Sequence, residues 1–523
     1  MRIIKNKVFI YSLLLLTTFY TWSDNNKFTL PKGCSGAISD YKALTEDPSN
    51  PFTLSVGTSM SQTHVTDNTI NPKFVRKSLK KVAEKKGKEA AKSWLKADNH
   101  YWYLLRSMPH FKCVNNHEID PGSIKEESII DNILNDIVNN LDDKDLVVTK
   151  CPICNTDRIG QMNDEADLFT LAIEDKLVAL VKDLNVDKQA SNGLPNVRLS
   201  IEISDILKKD SIEIDEIKLN RLVSFINKLG NPMIFFHHYA NPQVLPNLFE
   251  KDAHITWFAY ICAEIIKKLP NITHVCPVSQ PTGFAFRVSR EDLPPFEHSV
   301  TKDIVLENII KACAAASEEM KAVRQSQGGK KLNVLVSHQW KIMKQKHNNV
   351  LDPRYGIESL VTTIADMMYN QTFVKVVKPY ISKFDGIALS VYPALYFDMW
   401  KPDGNNISGK VDYQGSLETV QATSKAFPGK DIYIVEAGCN NSDKQVKRDY
   451  IDMMLCVCKK ARAEGIPVKG LYFWGITNHS DFYMEWNSRK GSTNFGPYDS
   501  METSSINESG KYIKDIFESN LKN

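Results

Sequence analysis

The feature that most constrains the fold of this chain is an alternation. Short apolar runs recur along most of its length, separated by amphipathic stretches of helical period. The runs are Phe52 to Val56, Val197 to Ile203, Met233 to His237, Thr273 to Val278, Leu332 to Val336, Ile387 to Val391, Ile432 to Val435 and Lys469 to Phe473. Helical periodicity covers Glu174 to Leu184, Ile217 to Leu229, Ile255 to Lys268, Ile304 to Arg324, Leu360 to Ile381, Leu417 to Ala426 and Lys447 to Glu464. Strands alternating with helices give a parallel sheet with right-handed crossovers. Eight such units favour an α/β chain closed into a (β/α)8 TIM barrel. The competing architecture is a large doubly wound sheet, but no GxGxxG or P-loop follows any of the runs.

The 523 residues suffice for one large domain with insertions or for two or three smaller ones. The alternation favours one barrel over 24–523, with an insertion after the first strand at about 71–165. There, Lys73 to Lys96 is basic and helix-prone, Tyr101-Trp102-Tyr103 forms an aromatic patch, and Glu126 to Asp145 is acidic. The basic run reads as a solvated helix face. A net charge of only +3 gives no field that would favour nucleic acid or an anionic membrane.

Arg2, Lys5 and Lys7 precede the apolar run Val8 to Tyr20, which gives way to Thr21-Trp22-Ser23-Asp24. This is the pattern of a secretory signal peptide at 1–23 rather than a spanning helix. A secreted or periplasmic protein, free of the membrane once the signal is cleaved, is expected. Ten cysteines allow a few disulfides. Cys151-Pro152-Ile153-Cys154 is the one CxxC, and with Cys113 and His117 its spacing makes a poor zinc site, so disulfide pairing is the simpler reading. Cys456 and Cys458, two apart on a helix, face different directions and are not expected to pair with each other. Glycosylation sequons begin at Asn271, Asn370, Asn406, Asn440, Asn478 and Asn507.

In a parallel barrel the C-terminal strand ends converge on the reaction site. Those ends carry polar residues: Gln62 after the first run, Arg198 in the second, His238 after the third, Ser279 and Gln280 after the fourth. Tyr392, Glu436 and Trp474 follow the sixth, seventh and eighth. Glu436 closes an apolar strand just before Gly438, which makes it the best candidate nucleophile. Arg198 inside a strand calls for a partner, because an unpaired buried guanidinium is very costly. His238 equally suits a hydrogen-bonded core histidine, and Trp474 plain barrel packing.

These positions resemble the family 1 glycoside hydrolases, the beta-glucosidase-like barrels. Gly57-Thr58-Ser59-Met60-Ser61-Gln62 is similar to that family's first-strand motif, and Val197-Arg198-Leu199-Ser200-Ile201 to its Tyr-Arg-Phe-Ser-Ile. Phe236 to Gln243 resembles the Tyr-His-Trp-Asp-Leu-Pro-Gln stretch, and Gly465 to Trp474 the strand-eight signature. Ser279-Gln280-Pro281 falls at Asn-Glu-Pro, Val435-Glu436-Ala437-Gly438 at Thr-Glu-Asn-Gly, and Glu485-Trp486 at a Glu-Trp pair that holds sugar hydroxyls. The resemblance implies a glycoside ligand and no metal or organic cofactor. It makes Glu436 the nucleophile, aimed and kept ionised by Arg198 and Tyr392. Gln62, His238, Ser279 and Glu485 would bond sugar hydroxyls, with Trp474 as an apolar platform.

Two departures qualify it. Retaining glycosidases use two carboxyl groups, and Gln280 is an amide at the acid/base position. Ser279 stands where Asn is expected, weakening the grip on the 2-hydroxyl. Three readings follow. The enzyme cleaves glycosides whose leaving group departs unaided, as in the related myrosinases, which carry Gln here. Another acid (Glu291, Asp292 or His298) takes over. Or the barrel binds carbohydrate, or a partner, without turnover. An endo-acting barrel hydrolase of the same clan is a remoter reading.

Overall fold

The computed structural model describes residues 28–59, 79–80, 82–84, 87–97, 111–113, 118–119, 127–139, 158–161, 166–184, 193–208, 211–238, 241–242, 244–245, 247–288, 299–402, 410–477, 496–499 and 505–521. Eight parallel strands close into a barrel: β1 (Thr53–Ser59), β2 (Arg198–Ser200), β3 (Met233–His237), β4 (His274–Val278), β5 (Asn333–Gln339), β6 (Gly386–Val391), β7 (Asp431–Ala437) and β8 (Val468–Trp474). They lie in sequence order around it, and β1 closes the circle by pairing with both β2 and β8. The (β/α)8 expectation holds, and every expected strand overlaps an observed one.

Side-chain alternation explains why these runs form strands buried on both faces. Met233 and Phe235 of β3 join Leu335, Tyr433 and Tyr472 in a cluster inside the barrel. The intervening Ile234 and Phe236 belong to the larger core outside the strands. Each such side chain contributes about 1.5–3 kcal/mol on burial. Some of the crossover helices begin where the sequence supplies a side-chain cap. Asp215 accepts from Ile217 N and Lys218 N to start Glu216–Leu229, and Asp443 likewise starts Lys444–Ala463.

The single helix expected over Leu360 to Ile381 is instead four pieces. An α-helix, Tyr355–Asp366, passes through a π-turn, Met367–Gln371, into Thr372–Val377 and the 3-10 turn Lys378–Lys383. The cause is Asn370, whose buried amide donates to Lys341 O at 2.7 Å and accepts from Lys341 N at 3.2 Å. Its sequon is therefore internal, out of reach of a glycan on the folded chain. A small sheet of Met343–Gln345, Leu395–Asp398 and Lys401–Pro402 rises above β5 and β6. Between β1 and β2 lie helices Lys88–Ala97 and Glu127–Asn139 and a sheet centred on Phe111–Cys113. Ala91, Ile133 and Ile137 from this region are buried in the main apolar core.

Cys34 and Cys456 form a disulfide that fastens the helix Ala37–Thr45 to Lys444–Ala463. Cys458 stays a buried thiol, on a different face from Cys456. The Cys151–Cys154 motif and His117 lie outside the described residues, as do residues 1–27. Among the described residues no helix is long and apolar enough to cross a membrane.

Candidate active site

The site at the C-terminal strand ends is built around Glu436. In strict alternation, Tyr433 and Val435 face inward and Glu436 outward. A register shift against both neighbours changes this: Leu389 aligns with Ile434, but Ser390 aligns with Glu436. Val435 is the extra residue of a β-bulge, so both it and Glu436 point into the barrel. Bulges of this kind re-aim side chains next to active sites.

Glu436 is 4% exposed, and the donors to its carboxylate include three side chains. Tyr392 OH donates to Oε1 at 2.8 Å, Gln280 Nε2 to Oε2 at 2.8 Å, and Ser390 Oγ to Oε2 at 3.2 Å. Donors from β6 and from the loops after β4 and β6 all favour the ionised form. Ser390 escaped the sequence reading. Its signal was a lone hydroxyl in an otherwise apolar strand; the structure sets it level with Glu436.

Gln280 reaches Glu436 through an unusual backbone. Its φ of 45° lies in the left-handed region, which costs a non-glycine residue about 1–3 kcal/mol. Hydrogen bonds enforce the turn: Ser279 N donates to His237 O at 2.8 Å and Gln280 N to Ser337 Oγ at 3.1 Å. The helix Pro281–Val288 starts immediately after, with Phe284 N bonded to Gln280 O. The amide thus faces the carboxylate directly.

Arg198 is fully buried, and its guanidinium donates to Thr58 O and Ser279 Oγ, both at 3.3 Å. It also lies 4.3 Å from the Phe235 ring centroid and 4.5 Å from that of Trp474. Gly57 leaves room for it, since a Cβ there would sit 3.0 Å from Arg198 Cδ. Trp474 is itself buried, with Arg198 on one side and the His238 ring 5.5 Å away, edge-on. Burial, then the charges of Arg198 and His237, lower the pKa of His238 well below the ordinary imidazole value. His238 is therefore neutral, able to donate and accept.

Arg198, His238, Ser279, Gln280, Tyr392, Glu436 and Trp474 thus gather at one end of the barrel. Gln62, Glu485, Glu291, Asp292 and His298 lie outside the described residues. Among the described residues two clusters have metal-ligand spacing: Cys34–Asp40–Cys456 and His347–Glu358–Asp398. The first is the disulfide with Asp40 paired to Lys459. In the second, Glu358 accepts from His347 and Met399 while Asp398 pairs with Lys346. Protein groups already satisfy both.

No protein-family model and no curated protein matches the chain. Solved structures do match. The beta-glycosidase BGL167 superposes with a TM-score of 0.52 at 16% identity, over 67% of this chain and 86% of its own. A beta-glycosidase from Pyrococcus horikoshii gives 0.51 at 18%, over 66% and 85%. The apo structure of a beta-glucosidase designated 1317 gives 0.51 at 16%, over 67% and 88%. The chain has the barrel fold of these beta-glycosidases.

Proposed function

We propose that the barrel mouth is a glycoside site at which Glu436 acts as the nucleophile of a retaining glycosidase of the family 1 type, without a carboxylic acid to assist departure. The observation that carries this reading is the Glu436 carboxylate, buried at the end of β7 and aimed by Tyr392, Ser390 and Gln280. In the first step one Glu436 oxygen attacks the anomeric carbon and the aglycone leaves with the bonding pair. Gln280 donates a hydrogen bond but no proton. General acid catalysis contributes about 10²–10⁴-fold, so ordinary alkyl glycosides turn over poorly and glycosides with self-departing groups are the substrates. Tyr392 and Arg198 orient the site, His238 and Ser279 bond sugar hydroxyls, and Gln62 and Glu485 complete the set.

A second reading, carbohydrate binding without turnover, is favoured by one contact. Gln280 Nε2 lies 2.8 Å from Glu436 Oε2, whereas the two catalytic groups of a retaining enzyme stand about 5–5.5 Å apart with the sugar between them. The amide must swing aside to admit substrate. We also assign the chain to an exported compartment after loss of residues 1–23. The Cys34–Cys456 disulfide supports this, because such bonds persist in oxidising surroundings.

Hydrolysis of 2,4-dinitrophenyl glycosides of several sugars, with azide as an external nucleophile, tests the reading. A phenolate burst or a glycosyl azide, lost in Glu436→Gln, is expected. A folded protein that gives neither with any sugar is a binder.

A further inference from the structure

Tyr392 donates to the Glu436 carboxylate from just beyond β6, where the barrel ladder has ended. Val391, the last residue of that strand, is still level with Ala437. Backbone pairing resumes at Leu395, whose N–H donates to Ile342 O at 2.8 Å. Between them lie Tyr392, Pro393 and Ala394. Proline fixes its own φ at about −65° and restricts the residue before it to extended backbone. The link is therefore stiff, and a shift at Ala394 is carried back to Tyr392. Pro393 has no N–H with which to anchor it. The buried Ala394 supplies the anchor, its N–H donating to Asp412 Oδ2 at 2.8 Å.

Asp412 belongs to a different element. It is the N-cap of the helix Tyr413–Ala426, and its Oδ1 accepts from Gly415 N at 2.9 Å. The caps Asp215 and Asp443 are built differently. Each accepts two N–H groups of its own helix on Oδ1. Asp412 instead gives one oxygen to its helix and the other to the link that carries Tyr392. Gly415 makes this possible. A Cβ there would collide with Asp412 Oδ2 and sit 3.1 Å from Ala394 Cβ. Glycine is a poor helix former, and Gly415 has no positive φ to call for it. Close approach of helix and link is what the position requires.

We propose, resting on the reading of Glu436 as nucleophile, that Asp412 is a positioning residue of the site. Its bond to Ala394 N holds the Tyr392–Ala394 link so that the Tyr392 hydroxyl, 2.8 Å from Glu436 Oε1, aims the carboxylate. A backbone N–H on a carboxylate makes a charge-assisted bond, stronger than a neutral one. Without it the link is free to drift between Val391 and Leu395. A displacement on the order of 1 Å at such a partner is enough to cost turnover, while the groups that would hold the sugar stay in place.

The test compares Asp412→Ser with Asp215→Ser in the full protein. Serine caps a helix about as well as aspartate, but its single oxygen cannot serve helix and link together. On the dinitrophenyl glycoside that the protein turns over, Asp412→Ser should lower kcat about fivefold to tenfold with KM nearly unchanged, the pattern of an interaction made only in the transition state. Asp215→Ser should change neither. In a Tyr392→Phe background Asp412→Ser should cost nothing more, because residues that act through one contact are not additive. Full activity in Asp412→Ser, an equal loss in Asp215→Ser, or a loss that multiplies with that of Tyr392→Phe overturns the assignment and leaves the nucleophile standing. If no glycoside is turned over, the nucleophile reading fails separately, and fluorine NMR of protein labelled with 3-fluorotyrosine decides the role of Asp412. The Tyr392 signal, identified by its loss in Tyr392→Phe, should move in Asp412→Ser and not in Asp215→Ser. A signal that stays in place in Asp412→Ser, or moves equally in both variants, ends the proposal.

Discussion

The two ends of this barrel are both polar and both buried, yet they are built on opposite principles. At the floor, His274 Nδ1 meets Thr273 Oγ1 at 2.9 Å, and its Nε2 meets Tyr433 OH at 2.9 Å and Asn333 Nδ2 at 3.2 Å. Tyr472 OH donates to Pro195 O, and Ser55 Oγ to Asn196 O. Burial holds these groups neutral: the pKa of His274 falls to about 4, and that of the Tyr433 phenol rises. At the mouth, a carboxylate and a guanidinium are buried as charges, each against hydrogen-bonding groups. Neutral groups that satisfy each other rigidify a core. Charges kept in place by donors from several strands are worth their desolvation only where something must react or bind. Burial alone therefore does not mark the site; the kind of group buried does.

The sharpest way to break this comparison is to neutralise the mouth. Glu436→Gln keeps the shape and should lower kcat/KM on dinitrophenyl glycosides by about 10³-fold or more. Stability by urea denaturation should stay within about 1 kcal/mol. Activity that survives would remove the charge from its assigned role. Next in size is the reverse change, Gln280→Glu, which supplies the missing acid. On 4-nitrophenyl and alkyl glycosides it should raise kcat/KM up to about 10²-fold, the low end for general acid catalysis, since Ser279 still lacks the 2-hydroxyl grip. The gain should disappear as pH rises through the pKa of the new acid. No gain at any pH favours the noncatalytic reading.

Much of this contrast was legible in the sequence, and the exceptions are instructive. Strand positions were readable because Met233 to His237 and the other runs are apolar on both faces. Glu436, Gln280 and Arg198 stood out as polar groups breaking such runs. The bulge at Val435 was invisible, since one extra residue leaves no compositional trace, yet it is what turns Glu436 inward. The π-turn was hidden for the same reason: Asn370 looks like a surface sequon and is a buried clamp on Lys341. The floor was the harder case. Thr273, His274 and Tyr433 have the side chains of an active site, and only their mutual pairing in three dimensions shows them to be structural.

The floor also titrates. The folded pKa of His274, about 4, lies below the value of 6.5 for an unperturbed histidine. Its share of stability is therefore fully present above about pH 6.5 and is lost as pH falls toward 4. Between pH 7 and 5 that share amounts to about 2 kcal/mol. Urea denaturation at the two pH values should show His274→Gln losing less stability on acidification than wild type by about this amount. Equal losses would mean that the histidine is not held neutral.

The smallest effect gives the cleanest comparison, because one atom is deleted at each end. Tyr433→Phe removes the hydroxyl from His274 Nε2, which keeps Asn333 Nδ2. With the acceptor still partnered, the cost should be about 1 kcal/mol. Turnover should not change, since the floor hydrogen bonds described above run to Thr273, Asn333, Pro195 and Asn196 and not to Glu436. Tyr392→Phe removes the hydroxyl from Glu436 Oε1, leaving Gln280 and Ser390 on the other oxygen. Its deletion should leave urea stability nearly unchanged and lower kcat/KM about tenfold, because it frees the carboxylate to turn from the anomeric carbon. Stability lost at the floor with activity intact, and activity lost at the mouth with stability intact, is the crossed result that two separately purposed networks require. Parallel losses in both variants would mean that the barrel carries one coupled network from floor to mouth.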